Sequence, residues 1–351
     1  MSSHSPQRLS PDHPRDIYDV ANRFAEAQGL LAAVELGLFT ALDEGGASVD
    51  ELCRGLGLDP RPAADFLHLL IVLGLIEEEG DKLRNSAAAQ RFLVDGKPDY
   101  LGSSLGLYGS LLYPSWSGIA AALRGTVGDS GDEPKGDDWT SDFFATVSGD
   151  PEALEKFLEG SESENLASEE LMTDAVDWSV YRSVLDVGGA RGRHASHIAR
   201  IAPHLKVGVF DLPPLAPFFE KLMASRGVSE RTDFHAGDFF TDDLPAADVV
   251  LMAGVLHNWS PDVRRMLVGK AAKAVNPGGL LLVLDKMQDD RRTDKANLIT
   301  SLTIFLSTRG GGSKYTESEC RAYLTEAGFD GVTARPFGAA GHVLVTGGKP
   351  R

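Results

Sequence analysis

The residues best placed for chemistry fall where short apolar, β-branched runs end. Asp186 closes residues 183–187, Asp211 follows 206–210, Asp238 follows 232–236, His257 lies just past 248–252, and Asp285 ends 280–285. A carboxylate offers two acceptor oxygens, suited to paired hydroxyl or amine donors. An imidazole, with an unperturbed pKa of ~6.5, can take a proton from an attacking nucleophile near neutrality. A neighbouring carboxylate would orient that imidazole and favour its protonated form. One strand-end carboxylate is more often a helix cap or a solvated loop residue. Five polar strand ends in succession point instead to a ligand crevice, because open parallel sheets bind ligands at the carboxyl ends of their strands.

The first of these runs opens into Gly188, Gly189 and Gly192, followed by helical spacing at Ala195, Ile198, Ala199, Ile201 and Ala202 that Pro203 stops. This reads as strand, tight glycine turn, helix, with backbone N–H groups and a helix N-terminus aimed over the strand end. A dinucleotide fingerprint, G-x-G-x-x-G, does not fit: its second and third glycines would fall on Ala190 and Arg193. The pattern is Asp-x-Gly-x-Ala-x-Gly.

From Ser183 on, strand and helix alternate, which predicts parallel β-α units. Asn276-Pro277-Gly278-Gly279 reads as the turn before the fifth strand. A helix is expected over 317–327, ended by Gly328, and two last strands near 332–335 and 342–346 are expected to form an antiparallel edge. Upstream, residues 16–41 have helical periodicity. Ser48-Val49-Asp50-Glu51 matches a capping box opening a helix that ends at Gly55 and Gly57. Asp59-Pro60 opens a third helix stopped by Gly74, and residues 75–83 suggest a hairpin. Three helices and a hairpin make a winged-helix pattern. Residues 128–138 read as a polar loop and 139–171 as helical, covering the cleft.

The chain is 351 residues long, 42 % apolar and 24 % charged, with a formal net charge of −17. That balance argues against nucleic acid and anionic membrane as partners. The first 100 residues hold nine basic against seventeen acidic residues, so the winged-helix pattern reads as a packing or dimerising module and not a DNA reader. Two cysteines imply no disulfide framework, no apolar run nears the ~20 residues of a membrane span, and the polar N-terminus lacks a signal-peptide core. A cytoplasmic protein is expected, with no metal site.

Phe210-Asp211-Leu212-Pro213, Gly237-Asp238-Phe239-Phe240, Leu256-His257-Asn258-Trp259-Ser260, Asn276-Pro277-Gly278-Gly279 and Gly311-Gly312 before Thr316-Glu317 occur in that order after the glycine loop. Nearly the whole chain thereby resembles the class I S-adenosylmethionine-dependent O-methyltransferases of the caffeic-acid type, which include bacterial enzymes that tailor aromatic polyketides. The resemblance implies an α/β fold: a Rossmann-like, mostly parallel sheet with an antiparallel edge strand, and an N-terminal, mainly helical winged-helix dimerisation domain. The corresponding division is 1–104 and 105–351, with a substrate-covering segment over 105–180. It also implies a homodimer that uses S-adenosyl-L-methionine, leaves S-adenosyl-L-homocysteine, and methylates a hydroxyl of an aromatic small molecule. Asp186, Gly188, Gly189, Gly192, Asp211, Leu212, Asp238 and Phe239 would hold the cofactor: Asp211 on the ribose hydroxyls, Asp238 on the adenine amino group, Phe239 on the adenine face. His257 would be the general base and Asp285 its flanking carboxylate. Tyr108, Trp116, Asn258 and Phe305 are candidates for the acceptor pocket.

Three positions depart from the family pattern. Asn258 stands for an aspartate, Lys314 for a second histidine-flanking glutamate, and Ala253 for a lysine of the plant members. Two rivals remain: an enzyme that methylates carbon or nitrogen or runs a non-methylating step on the same cofactor, and a catalytically silent cofactor-binding or regulatory protein.

Overall fold

A computed structural model describes residues 12–43, 45–125, 137–138, 140, 143–144, 147, 149–152, 154–155, 157–158, 168–338 and 341–351. Most of the expected polar loop over 128–138, and Trp139 with much of the following helical stretch, lie outside the described residues. The chain forms two compact units, one reaching to Pro114 and including Phe157 and Leu158, the other running from Ser115 to the C-terminus.

In the first unit, α1 spans Pro14–Glu35, α2 Leu38–Ala41, α3 Val49–Leu56 and α4 Pro60–Val72, before the hairpin of β1, Ile76–Glu79, and β2, Lys82–Asn85; α5, Ala87–Phe92, and α6, Gly102–Leu107, follow it. The helix expected over 16–41 is therefore two helices. Gly37 adopts φ +68°, which a right-handed helix cannot continue. Gly55 does not end α3; the stop is Gly57 at φ +67°. Ser48 and Glu51 close the expected capping box, and Asp59 caps α4. Ala33, Phe39, Leu52, Leu67, Leu70, Ile76 and Leu83 form the core of this unit. Ile17, Tyr18, Val20 and Phe24, the N-terminal apolar residues of α1, lie instead on its surface.

The second unit is a seven-stranded sheet in the order β5-β4-β3-β6-β7-β9-β8. The strands are β3 Ser183–Val187, β4 Lys206–Asp211, β5 Thr232–Ala236, β6 Ala247–Ala253, β7 Val275–Asp285, β8 Asp330–Phe337 and β9 His342–Gly348. Strands β3 to β7 pair in parallel; β9 runs antiparallel between β7 and β8, forming the expected antiparallel edge. The Asn276–Gly279 run is not a free turn. Ala247 pairs with Val275 and Val249 with Leu280, so the run bulges from the head of β7, tied by Asn276 Nδ2 donating to Asp248 Oδ1 at 2.8 Å.

Helices α7 Arg193–Ile201 and α8 Ala216–Arg226 cover one face, and α9 Pro261–Ala274 with α11 Glu317–Glu326 the other; α10 Lys295–Ser307 follows β7. The sheet builds outward from β3 to β5, then resumes at β6 on the other side of β3. That reversal opens a crevice at the carboxyl ends of β3 and β6, where the sequence places its glycine loop and His257.

Candidate active site

The glycine loop is fixed by sterics. Gly188 sits at φ +69°, its N–H donating to the Phe210 carbonyl at 2.8 Å, and a Cβ there would stand 2.7 Å from a Val255 methyl. Ala190, the departure from the glycine pattern, adopts φ +50°, a region costly for a residue with a Cβ. Its N–H donates to Asp211 Oδ2 at 2.8 Å, and the Leu212 N–H donates to Asp211 Oδ1 at 2.7 Å. Each carboxylate oxygen keeps a second acceptor position. Burial pushes the Asp211 pKa up to about 6, the two amides offsetting part of the rise.

Asp186 lies fully buried beneath the loop, so close that a Cβ on Gly189 would stand 2.7 Å from its carboxyl carbon. Neither of its oxygens closes a hydrogen bond within the described residues. Burial first, then the neighbouring Asp211, push its pKa up to about 8. Asp238 caps its own turn, Oδ1 accepting from the Phe240 N–H at 2.8 Å, and Phe239 stands edge-on to Trp259 with centroids 5.6 Å apart. Orphaned acceptors under a loop that admits no extra side-chain atom, with Asp211 at its lip, fit the S-adenosylmethionine expected from the sequence.

The structure brings His257 and Asp285 together. Strands β6 and β7 are neighbours, so the turn Leu256–Asn258 lies beside the end of β7. His257 Nδ1 is 3.0 and 2.9 Å from the two Asp285 oxygens. Asp285 is itself buried, and also accepts from the Lys286 N–H at 2.8 Å and the Tyr315 hydroxyl at 3.1 Å. Burial alone would raise its pKa, but His257, Lys314 and the Tyr315 hydroxyl together hold it well below the usual carboxylate range. An ionised carboxylate only accepts, so His257 carries its proton on Nδ1 and presents a basic Nε2. Lys314 is buried and donates to the Lys286 carbonyl.

The acceptor candidates separate. Trp116 and Phe305 both belong to the second unit, and the Trp116 indole N–H donates to Thr303 on α10 at 2.9 Å. Asn258 is half-buried beside His257, its amide 3.5 Å from the Gly254 carbonyl. Tyr108 belongs to the first unit, 42 % exposed.

Two residues absent from the sequence reading complete the site. Arg264 is buried, donating from Nε to the Leu256 carbonyl at 2.9 Å and from Nη2 to the Ser313 carbonyl and hydroxyl. Its guanidinium lies 4.8 Å over the ring of Tyr315, whose hydroxyl meets Asp285. Arg264 shares the helical face of Leu267, Val268 and Ala271, and a cation in an apolar stripe was the available signal.

Comparison with known proteins places the chain in a family. Residues 126–330 match an O-methyltransferase domain, and residues 18–95 an O-methyltransferase dimerisation domain. The chain is 40 % identical to the tetracenomycin polyketide synthesis 8-O-methyl transferase TcmO of Streptomyces glaucescens, over 96 % of this chain and 97 % of that one. It is 38 % identical to the N,N-dimethyltransferase OxyT of Streptomyces rimosus, over 90 % of each. The crystal structure of human N-acetylserotonin methyltransferase in complex with SAM superposes with a TM-score of 0.81, at 26 % identity and 100 % of both chains. The chain belongs to the O-methyltransferase family. It is an enzyme with a methyltransferase sheet and a dimerisation domain.

Proposed function

We propose that this enzyme transfers the methyl group of S-adenosyl-L-methionine to a hydroxyl of an aromatic small molecule of the polyketide or related phenolic class, with His257 as general base. The observation that carries the reading is the pair of contacts from His257 Nδ1 to a buried, ionised Asp285. A phenol has a pKa of ~10, like tyrosine, so little phenolate exists at neutral pH. The bound cofactor supplies a methyl on a sulfonium, already electrophilic. His257 Nε2 takes the hydroxyl proton as the oxygen attacks, and Asp285 stabilises the imidazolium and fixes the ring plane. Asp211 and Asp238 hold the hydroxyl and amine donors of the nucleoside, and the Asp186–Gly192 loop holds the amino-acid end. The remaining acceleration is alignment of the acceptor against the methyl group. Trp116, Asn258 and Phe305, all of the second unit, are proposed to contact the acceptor.

A second reading, methylation of an amine, is favoured by the similarity to OxyT. The test is incubation with methyl-labelled cofactor and paired acceptors, phenols and their amino analogues, with the labelled atom located by NMR. Label on oxygen supports the first reading; label only on nitrogen replaces it. The dimerisation domain and the surface residues Ile17, Tyr18, Val20 and Phe24 support a homodimer, and light scattering at twice the chain mass is expected. Among the described residues no helix is long and apolar enough to cross a membrane, which is consistent with a cytoplasmic enzyme.

A further inference from the structure

We propose that Tyr315 is a positioning residue for the base, its hydroxyl sharing Asp285 with His257 while Arg264 clamps both to one frame. This rests on the reading of His257 as the base. Asp285 Oδ2 accepts from Tyr315 Oη at 3.1 Å and lies 2.9 Å from His257 Nδ1. His257 Nδ1 spans both oxygens, at 3.0 Å from Oδ1 and 2.9 Å from Oδ2; the Tyr315 hydroxyl meets the carboxylate at Oδ2 and the Lys286 N–H at Oδ1, so the carboxylate's grip on the imidazole depends on how much charge the hydroxyl draws off Oδ2. Arg264 ties the two donors together. It binds the carbonyl of Leu256, the residue before His257, and the carbonyl of Ser313, two residues before Tyr315, and its guanidinium covers the Tyr315 ring. A planar, forked cation performs all three tasks, whereas a lysine has one donor point.

The other charged or titratable groups around Asp285 come from every neighbouring element. They are Lys286 next in the chain, Lys314 from the preceding loop, Cys320 from α11, His342 from β9 and Arg264 from α9. Burial raises the Cys320 thiol and lowers His342 to about 4, so both are uncharged at neutral pH. The Tyr315 hydroxyl is raised well above its ordinary value, chiefly by burial and then by Asp285, so it acts as a fixed donor and not as a proton carrier.

Tyr315→Phe removes only this donor. The carboxylate charge then concentrates on the imidazole, strengthening the Nδ1–H bond and stabilising the imidazolium. In protein labelled with ¹⁵N-histidine, without cofactor, the His257 Nδ1–H resonance moves downfield. The acidic limb of the kcat/KM profile moves up by about half a pH unit, the scale of one hydrogen bond. Below pH 6 kcat/KM falls about threefold, the half-unit shift in full, and recovers by pH 9, with KM for the cofactor unchanged. Arg264→Lys shifts the same resonance and limb, and Tyr315→Phe decides the proposal by itself should the Arg264→Lys protein not fold. A Tyr315→Phe protein whose Nδ1–H resonance and pH profile superpose on the wild type overturns the proposal. A His257→Ala protein with an undiminished rate at neutral pH overturns the base reading instead.

Discussion

Gly312 passes so close to His257 that a Cβ on it would stand 2.5 Å from the His257 carbonyl oxygen and 2.8 Å from the Asn258 carbonyl carbon. The Ser313 N–H then donates to that same His257 carbonyl at 2.9 Å. The Gly311-Gly312 pair thus seats one loop on the backbone of the base and delivers Lys314 and Tyr315 to Asp285. Gly312→Ala is expected to push the loop off this seat, costing ~1–3 kcal/mol of stability as overpacking does. It should lower kcat while leaving cofactor affinity intact, which thermal denaturation, turnover and calorimetry check separately.

Asp211 is held at the end of β4 by the Ala190 and Leu212 amides, one on each oxygen, which fix the orientation of its carboxylate. Asp211→Ala is expected to weaken S-adenosylmethionine binding at least tenfold, or ~1.4 kcal/mol. Calorimetric affinity equal to the wild type would remove Asp211 from the cofactor site.

Asp186 gives a pH dependence with a defined sign. Its folded pKa, about 8, lies above the unfolded value of 3.8, so between these limits the folded chain holds a proton that the unfolded chain has released. Its contribution to stability is therefore lost progressively as pH rises from 4 to 8. Asp186→Asn cannot ionise. The cofactor-free variant should gain on the wild type across this window, by at least ~1.4 kcal/mol at pH 8, the equivalent of one pKa unit. The lowered pKa values of His194 and His342, both about 4, oppose the trend equally in both proteins and cancel in the difference. Urea denaturation at pH 5 and pH 8 measures it; a constant gap would show that Asp186 is ionised throughout.

His257→Ala is expected to lower turnover by ~10²–10⁴, the usual range for loss of a general base. Alkaline pH should restore part of the rate, because the acceptor then ionises unaided, and cofactor affinity should barely change. Asp285→Ala should act in the same direction more mildly. Lys314, tied to the Lys286 carbonyl near Asp285, should not substitute for the base, so Lys314→Met in the His257→Ala background is expected to change the residual rate little.

Much of this enzyme was legible in the chain, because its local signals are steric and periodic. Asp186 before Gly188 marked a strand turning into a helix, Ser48 and Glu51 marked a helix start, and alternating strands and helices marked a parallel sheet; each depends on a few adjacent residues. The ordered motifs went further and named the family. Distance along the chain set the limit. The periodicity of residues 16–41 carries no sign of the break at Gly37, which only its αL backbone shows. The Asn276–Gly279 run looked like a turn, until pairing with Ala247 and Val249 made it a bulge. His257 and Asp285 lie 28 residues apart, and they meet because β6 and β7 pair in register. Tyr315 and Arg264 carried no motif. Their roles arise from a shared carboxylate and a stacked ring, contacts between distant segments that only the packed sheet and its helices decide.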